Sequence, residues 1–440
     1  MKIVYVGDNR NRDNFGCRAT STALSQILSK ENEIVGRIYG HYTNADANNV
    51  FFHKYISEKN YMRFCKMKHW GFVREFLILI LRFLGRKTRF NIPSYDFISY
   101  DWDKSIQNLK KCIPANPNLT ECNLEQYEYD ALVVNGEGSF IFSKIPWREA
   151  LVETMLMYWA MKQGKKVYFM NAMFSAGSGE DLNMETISHI KPILEKINYI
   201  GVREKRSYDF AKKYFPEANI HMYPDALFTW AKLLKDGFTV TNGKYFIGYS
   251  GAYDSTFSEF DFTKQYICIS GSSSRQMGYD LNRTIESYCK LINHLKDSVE
   301  HDIYIVIPCS GDSFLKDVAR ITSTKVIPVD TPILPAAKIL GNARVYITGR
   351  YHPAILASLG GTPCIFMGSN SHKNISLQET LGYEKISNYN EIPNDMDIED
   401  IIKDCLSCLE KGENLRQKIQ NRTEELSIIA DKMDQELVRN

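Results

Sequence analysis

The chain has 440 residues, 44% hydrophobic and 24% charged, which is enough apolar material for two or three domains and too much for a disordered chain. Lys+Arg number 54 and Asp+Glu 52, and a net charge of +2 gives no support to a general nucleic-acid binder. The ten cysteines are scattered and read as reduced thiols; the one CxxC, Cys405 and Cys408, sits in a charged helical pattern with no second pair to complete a zinc site.

Strand-like and helix-like runs alternate from the first residues. "KIVYVG" (2–7) is a strand, and a long polar loop leads into a helical pattern over 17–30. "DALVVNGEGS" (130–139) is a buried strand ending in glycines, 147–164 a long helix closed by Gly164, and 165–173 the next strand. Residues 199–215 read as strand then helix, and 220–228 as a short strand. The polar stretch at 239–245 contains Asn242-Gly243 and marks the expected domain boundary. The alternation then resumes: strands at 245–250, 266–274, 302–310 and 325–330, with helices at 283–299, 313–323 and 333–343. Periods of two and 3.6 alternating in this way predict parallel sheets covered by helices. The expected domains are 1–238, 239–390 and a charged helical tail at 391–440.

Residues 50–92 interrupt the rhythm. Between Met62 and Phe90 there are eight Lys/Arg and one acid, Glu75, and Trp70, Val73, Phe76, Leu77, Ile80, Leu81 and Leu84 share one helical face. This basic amphipathic segment, 62–90, is a candidate for peripheral contact with an anionic membrane surface; the alternative is a helix packed on its own domain with a solvated basic face. The longest purely aliphatic and aromatic run, Phe76–Leu81, is far below the roughly 20 residues that span a bilayer. The chain opens directly into a strand, so no secretory leader is expected, and the expected location is the cytoplasm, including the inner face of the cell membrane.

The chemistry concentrates in "TGRYHPAILASLGGTPCIFMG" (348–368). Residues 344–348 read as a strand and 353–361 as a helix with Pro353 in its first turn and Gly360 past its end. Gly349-Arg350-Tyr351-His352 is then a strand-to-helix turn, the place where open α/β sheets bind ligands. Arg350 supplies a fork suited to a carboxylate or phosphate, and His352 a proton donor that titrates near neutrality. Arg203 at a strand end before a helix is a second candidate anion clamp. Asn135, Gly136, Glu137 and Gly138 form a glycine-containing strand end that lacks the third glycine of a dinucleotide fingerprint. Asn14 and Gly16 lie in the long first loop, Asp225 ends a strand, and Ser371 and Lys373 follow the last strand. Asp101 and Asp103 form a DxD with little claim to a metal.

Taken in order, these turns resemble the polysaccharide pyruvyl transferase family: Asn14-Phe15-Gly16, Asn135 to Gly138, Val202-Arg203 with Ser207, Asp225, Gly349 to Pro363, and Ser371-His372-Lys373. The resemblance covers most of residues 1–390; it departs at Glu204, where the family pattern has Asp, and in the insertion at 50–92. It implies a GT-B-like α/β fold of two Rossmann-like domains with parallel sheets facing one cleft, plus C-terminal helices. It also implies transfer of the pyruvyl part of phosphoenolpyruvate onto two hydroxyls of a sugar in a cell-surface polysaccharide, exopolysaccharide or lipid-linked precursor, closing a cyclic ketal. In that scheme Arg203, Arg350, Lys373 and Ser371 bind the donor. His352 is the general acid, Asp225 or Glu137 the base, and the Asn14–Gly16 and Asn135–Gly138 turns meet the acceptor. Phosphoenolpyruvate is a co-substrate, and no cofactor or metal is expected. The competing expectation is a GT-B glycosyltransferase with a nucleotide-activated sugar such as a CMP-sugar.

Overall fold

The computed structural model describes residues 1–40, 97–115, 117–143, 147–235, 244–247, 258–273, 280–435 and 437. Their internal contacts divide the chain into two compact units: Met1–Asn9, Leu28–Tyr223 and Asp434–Asn440 form the first, and Arg10–Ile27 and Pro224–Met433 the second.

The first unit is built on β1 (Lys2–Asp8), β2 (Glu33–Tyr39), β3 (Ala131–Asn135), β5 (Lys166–Ala172), β7 (Tyr199–Val202) and β8 (Ile220–Met222), in the order β2-β1-β3-β5-β7-β8 with every pair parallel. A short parallel pair, β4 (Phe140–Ile141) and β6 (Phe174–Ser175), lies outside this sheet. The strands read as continuous apolar runs because both faces are covered: Ile3, Val4, Tyr5 and Val6 all have no exposure. The helix after β1 in sequence, α1 (Phe15–Leu28), belongs up to Ile27 with the second unit. The first unit's helices are α2 (Trp102–Cys112), α3 (Arg148–Lys162), α4 (Met184–Leu194) and α5 (Lys205–Tyr214). The DxD is consumed structurally: Asp101 caps α2 by accepting from the Lys104 N–H at 3.0 Å, and Asp103 accepts from Lys162 Nζ at 2.6 Å and the Tyr158 hydroxyl at 3.0 Å.

In the second unit, β9 (Lys244–Ile247) and β10 (Ser258–Asp261) form an antiparallel ribbon. The main sheet comprises β11 (Tyr266–Ser272), β12 (Asp302–Val306), β13 (Lys325–Ile327), β14 (Tyr346–Gly349) and β15 (Cys364–Phe366), in the order β13-β12-β11-β14-β15, all parallel. Its helices are α6 (Trp230–Lys235), α7 (Leu281–Ser298), α8 (Leu315–Thr322), α9 (Ile333–Asn342), α10 (Tyr351–Leu359), α11 (Lys373–Leu381) and α12 (Asp395–Ala430).

Three sequence expectations change. The contacts divide the chain before Pro224 rather than at residue 239, because Ala226, Leu227, Phe228 and Trp230 are buried where 226–235 packs on α10 and α12. The segment from 391 is not a separate tail: Ile398, Ile401 and Cys405 of α12 form an i, i+3, i+7 stripe inside the second unit's core. The strand expected at 245–250 pairs antiparallel with β10 and does not join the parallel sheet. The basic segment 50–92 lies outside the described residues. Among the described residues, no helix is long and apolar enough to cross a membrane.

Strand order fixes where each unit can bind. In the second, the order reverses between β11 and β14, and in the first between β1 and β3. The crevice outside the carboxyl ends of such strands is the usual ligand site of a doubly wound sheet. The Arg350–His352 turn follows β14, and the Asn135–Gly138 turn follows β3.

Candidate functional site

The second unit carries the more developed site. Arg350 is the N-cap of α10 and has extended backbone, so its side chain leaves the sheet at the strand end. Its guanidinium is held side-on by Asp312: Nε donates to Oδ2 at 3.0 Å and Nη2 to Oδ1 at 2.7 Å. The Asp312 side chain has no exposure and that of Arg350 only 14%. Burial pulls the arginine's pKa down, but the Asp312 charge and hydrogen bond together with the nearby Cys309 and Tyr346 raise it overall, so the guanidinium stays charged. The pair uses Nε and Nη2 and leaves Nη1 outside it. Gly271, in β11, makes room for the carboxylate: a Cβ there would lie 2.4 Å from Asp312 Oδ1.

Two residues on, His352 Nε2 faces Asp225 Oδ2 at 3.1 Å. Asp225 is fully buried; its Oδ1 accepts from the Thr20 hydroxyl and the Leu227 N–H, each at 3.0 Å. The carboxylate thus meets the Thr20 hydroxyl and the Leu227 N–H through Oδ1 and His352 through Oδ2. Gly16 lies against the imidazole, where a Cβ would come within 2.7 Å of His352 Cβ and 2.8 Å of Nδ1. Asn14 also starts α1: its side-chain oxygen accepts the Cys17 N–H at 3.2 Å.

The other strand ends are stitched to the same rim. The Ser272 hydroxyl donates to the Gly368 carbonyl, and the Ser273 hydroxyl reaches Gly349 O and Asn370 Oδ1, both at 3.4 Å. Lys373 Nζ donates to Asn370 Oδ1 at 2.6 Å, and the Ser371 carbonyl accepts the Ser369 hydroxyl at 2.6 Å.

In the first unit the Asn135–Gly138 turn is a compact polar knot. Asn135 Nδ2 donates to Gly7 O at 3.2 Å and to Glu137 Oε1 at 3.1 Å, and Asn9 Nδ2 donates to the same Oε1 at 3.1 Å. Glu137 is 8% exposed and has φ 33°, a left-handed conformation that a non-glycine residue holds only under constraint. Arg203 is 3% exposed, with Nη2 3.8 Å from Met173 Sδ. Glu204, the departure from the family pattern, caps α5 by accepting the Ser207 N–H at 3.0 Å. The Ser207 hydroxyl is enclosed by Glu204 and by the Phe174 carbonyl at 3.2 Å, so it serves the fold.

The sequence model described as polysaccharide pyruvyl transferase matches residues 14–371, a span that holds Asn14, Gly16, Asn135 to Gly138, Arg203, Asp225, Arg350, His352 and Ser371 but not Lys373. The chain belongs to the polysaccharide pyruvyl transferase family. Among curated proteins, none matches the sequence. Solved structures match in fold. The Neisseria meningitidis UDP-GlcNAc 2-epimerase bound to UDP-GlcNAc is 9% identical with a TM-score of 0.52, and the match covers 100% of both chains. Arabidopsis thaliana UGT89C1 complexed with UDP-L-rhamnose is 9% identical with a TM-score of 0.50, covering 100% of this chain and 98% of the other. At such identities the likeness shows the architecture alone: two Rossmann-like units of the GT-B class with C-terminal helices.

Within this family member, three neighbours of the candidate residues escape sequence reasoning. Asp312 sits in a strand-end "SGD" where an acid is weakly suggestive, but its partner Arg350 is 38 residues away. Thr20 lies on an ordinary helical face. Asn9, which holds Glu137, is one polar residue in a long polar loop. The CxxC is explained by burial, which pushes Cys405 up to about 12 and Cys408 up to about 11, so neither is a thiolate near neutrality.

Proposed function

We propose that this family member transfers the pyruvyl group of phosphoenolpyruvate to two hydroxyls of a saccharide, forming a cyclic ketal. The observation that carries the reading is the family match running through an Arg350–His352 turn at a topological switch point. A cation and a proton donor two residues apart suit a small donor with a carboxylate and a phosphate. Arg350, locked by Asp312, offers Nη1 to one anionic group, and Lys373 and Ser371 stand on the neighbouring strand end. In the first unit Arg203 is the candidate donor-binding cation, and the Asn135–Gly138 turn, with Glu137, the candidate acceptor contact.

Chemically, His352 protonates the donor's methylene carbon. The C=C electron pair forms the new C–H bond and leaves the adjacent carbon electron-poor. A sugar hydroxyl adds there, phosphate departs with its bridging oxygen, and the second hydroxyl closes the ring. Two hydroxyl protons are released; one replaces the proton taken from His352 and the other leaves with phosphate. General acid catalysis of this kind contributes roughly 10²–10⁴-fold. Phosphoenolpyruvate is consumed as a co-substrate, and no step runs through a cofactor. The acceptor includes lipid-linked sugars, with the basic segment 62–90 proposed to meet the membrane at its inner face.

The test is a donor and acceptor screen of the full chain by mass spectrometry. The expected product is a saccharide gaining a pyruvyl ketal with phosphoenolpyruvate, lost in His352→Ala and Arg350→Ala. A glycosyl mass gain with a UDP-, GDP- or CMP-sugar and none with phosphoenolpyruvate would overturn the proposal in favour of a glycosyltransferase.

A further inference from the structure

The second unit has a cationic cavity at the amino ends of its strands, the sheet edge opposite the Arg350–His352 turn. Gln265 and His301 directly precede β11 and β12, and Arg344 lies two residues before β14. These three strands are parallel neighbours in the sheet, so topology brings the three residues to one edge. From α12, Glu413 and Arg416 meet them just past Gly412, whose φ of 48° and ψ of −128° break the helix in a conformation suited to glycine. Together they line a cavity of about 340 Å³, within the roughly 300–1,000 Å³ of small-molecule sites. Its charges are poorly matched. Among the described residues the Arg344 guanidinium has one ion pair, Nη1 to Glu413 Oε2 at 3.5 Å, and the Glu413 side chain is 77% exposed. The same oxygen stands 3.9 Å from Arg416 Nε, so one exposed carboxylate serves two guanidinium groups. The Arg416 Nη atoms are committed to the carbonyls of Ala343, Gly341 and Gly360. His301 Nε2 lies 3.0 Å from Gln265 Oε1, and its Nδ1 is buried with no hydrogen-bond partner among the described residues. Burial first, and the Arg344 charge second, hold both His301 and Arg416 below their ordinary pKa values, with Glu300 and Glu413 pulling the other way.

We propose that this cavity binds the phosphate or diphosphate group of a small molecule, with Arg344 as principal ligand, His301 and Arg416 Nε as further contacts, and Glu413 as the acid the anion displaces. This second anion site is independent of the pyruvyl-transfer reading. A multiply charged anion offsets the repulsion between Arg344 and Arg416 better than one exposed carboxylate does. The imidazole completes the match, since a ring nitrogen accepts from a phosphate hydroxyl when bare and donates to a phosphate oxygen when protonated. The donors reach the cavity from a strand edge and from a helix rather than from one fork. Such an arrangement suits the tetrahedral oxygens of a phosphate, whereas a single guanidinium fork already satisfies a planar carboxylate.

The experiment is hydrogen exchange by mass spectrometry on the full chain, titrated with pyrophosphate at constant ionic strength and read separately for each peptide. Protection is expected in peptides covering 299–303, 341–346 and 409–417, apart from any effect of the same anion at 348–356. Arg344→Gln should weaken the protection at least about 10-fold in pyrophosphate concentration, and Glu413→Gln should strengthen it about 3- to 10-fold. Opposite signs for the two halves of one ion pair are the signature of a ligand site, since a merely structural pair is weakened from either side. Malonate, a planar dicarboxylate, should need at least about 10-fold more to protect the same peptides. The proposal is overturned if about 10 mM pyrophosphate leaves these peptides unprotected or protects only 348–356. It is overturned equally if both variants weaken the protection, or if malonate matches pyrophosphate. Should Arg344→Gln not fold, Glu413→Gln, changed at an exposed side chain, and the malonate comparison decide.

Discussion

Removing the Asp312 carboxylate tests how the site holds its arginine. Arg350 has a side chain 14% exposed, and its two bonds to Asp312 are 3.0 and 2.7 Å long. Deleting one partner of such a pair leaves the other charge buried without compensation, which costs about 3–5 kcal/mol. Asp312→Ala is expected to lose that much, Arg350→Met a similar amount, and the double variant at least about 2 kcal/mol less than the sum, because it buries no orphan charge. A chain with two compact units does not guarantee a single unfolding transition. The appropriate readout is native-state hydrogen exchange by mass spectrometry, following peptides from β11, β12 and β14, which carry the pair's supports. Single variants costing under about 1 kcal/mol, or a double variant additive within about 0.5 kcal/mol, would refute the view that this pair braces the turn.

Further outcomes can be checked in the same way. Glu121 has its carboxyl pushed up to about 7 by burial and by the Asp8 charge, against the pull of the Tyr39 backbone hydrogen bond. A folded pKa raised above the ordinary 4.5 favours folding below that value, and the benefit is lost as pH rises through about 7. Glu121→Gln should therefore stabilise the chain by roughly 1–2 kcal/mol at pH 8, after allowance for solvent screening, and by little near pH 4.5; equal effects at both, measured by urea titration, would contradict the shift. Gly16→Ala should depress turnover and broaden the His352 resonances without changing the far-UV circular dichroism, since its Cβ meets the ring. Arg416→Ala should destabilise the second unit by about 2–4 kcal/mol in hydrogen exchange, as its guanidinium serves the carbonyls of Ala343, Gly341 and Gly360 at 2.7–2.9 Å. Cys405 and Cys408 should react with a thiol reagent at pH 7.5 only on unfolding.

Much of the scaffold was legible. Parallel strands buried on both faces announce themselves as apolar runs, as in β1, β3, β5 and β11, and Pro353 with Gly360 frames α10 in the sequence as in the structure. The cation and imidazole of the central turn were legible for the same reason, since their placement depends on local chain geometry. Their partners were not. Asp225 looks like a free strand-end acid until its burial is known, and Asp312 and Thr20 acquire meaning only through contacts 38 and 205 residues away. The boundary escaped because a polar Asn-Gly stretch marks a loop, whereas membership of a unit is decided by where Phe228 and Trp230 are covered.

That α1 packs with residues 224–433 rather than with its chain neighbours has a consequence during synthesis. The helix emerges early, with Phe15, Ala19, Ala23 and Leu24 that end wholly covered. Thr20 must wait 205 residues for Asp225, roughly 10–40 s at about 5–20 residues per second. Throughout that interval the apolar face of the helix waits for the residues that will cover it, so truncation before residue 224 is expected to leave that face bare.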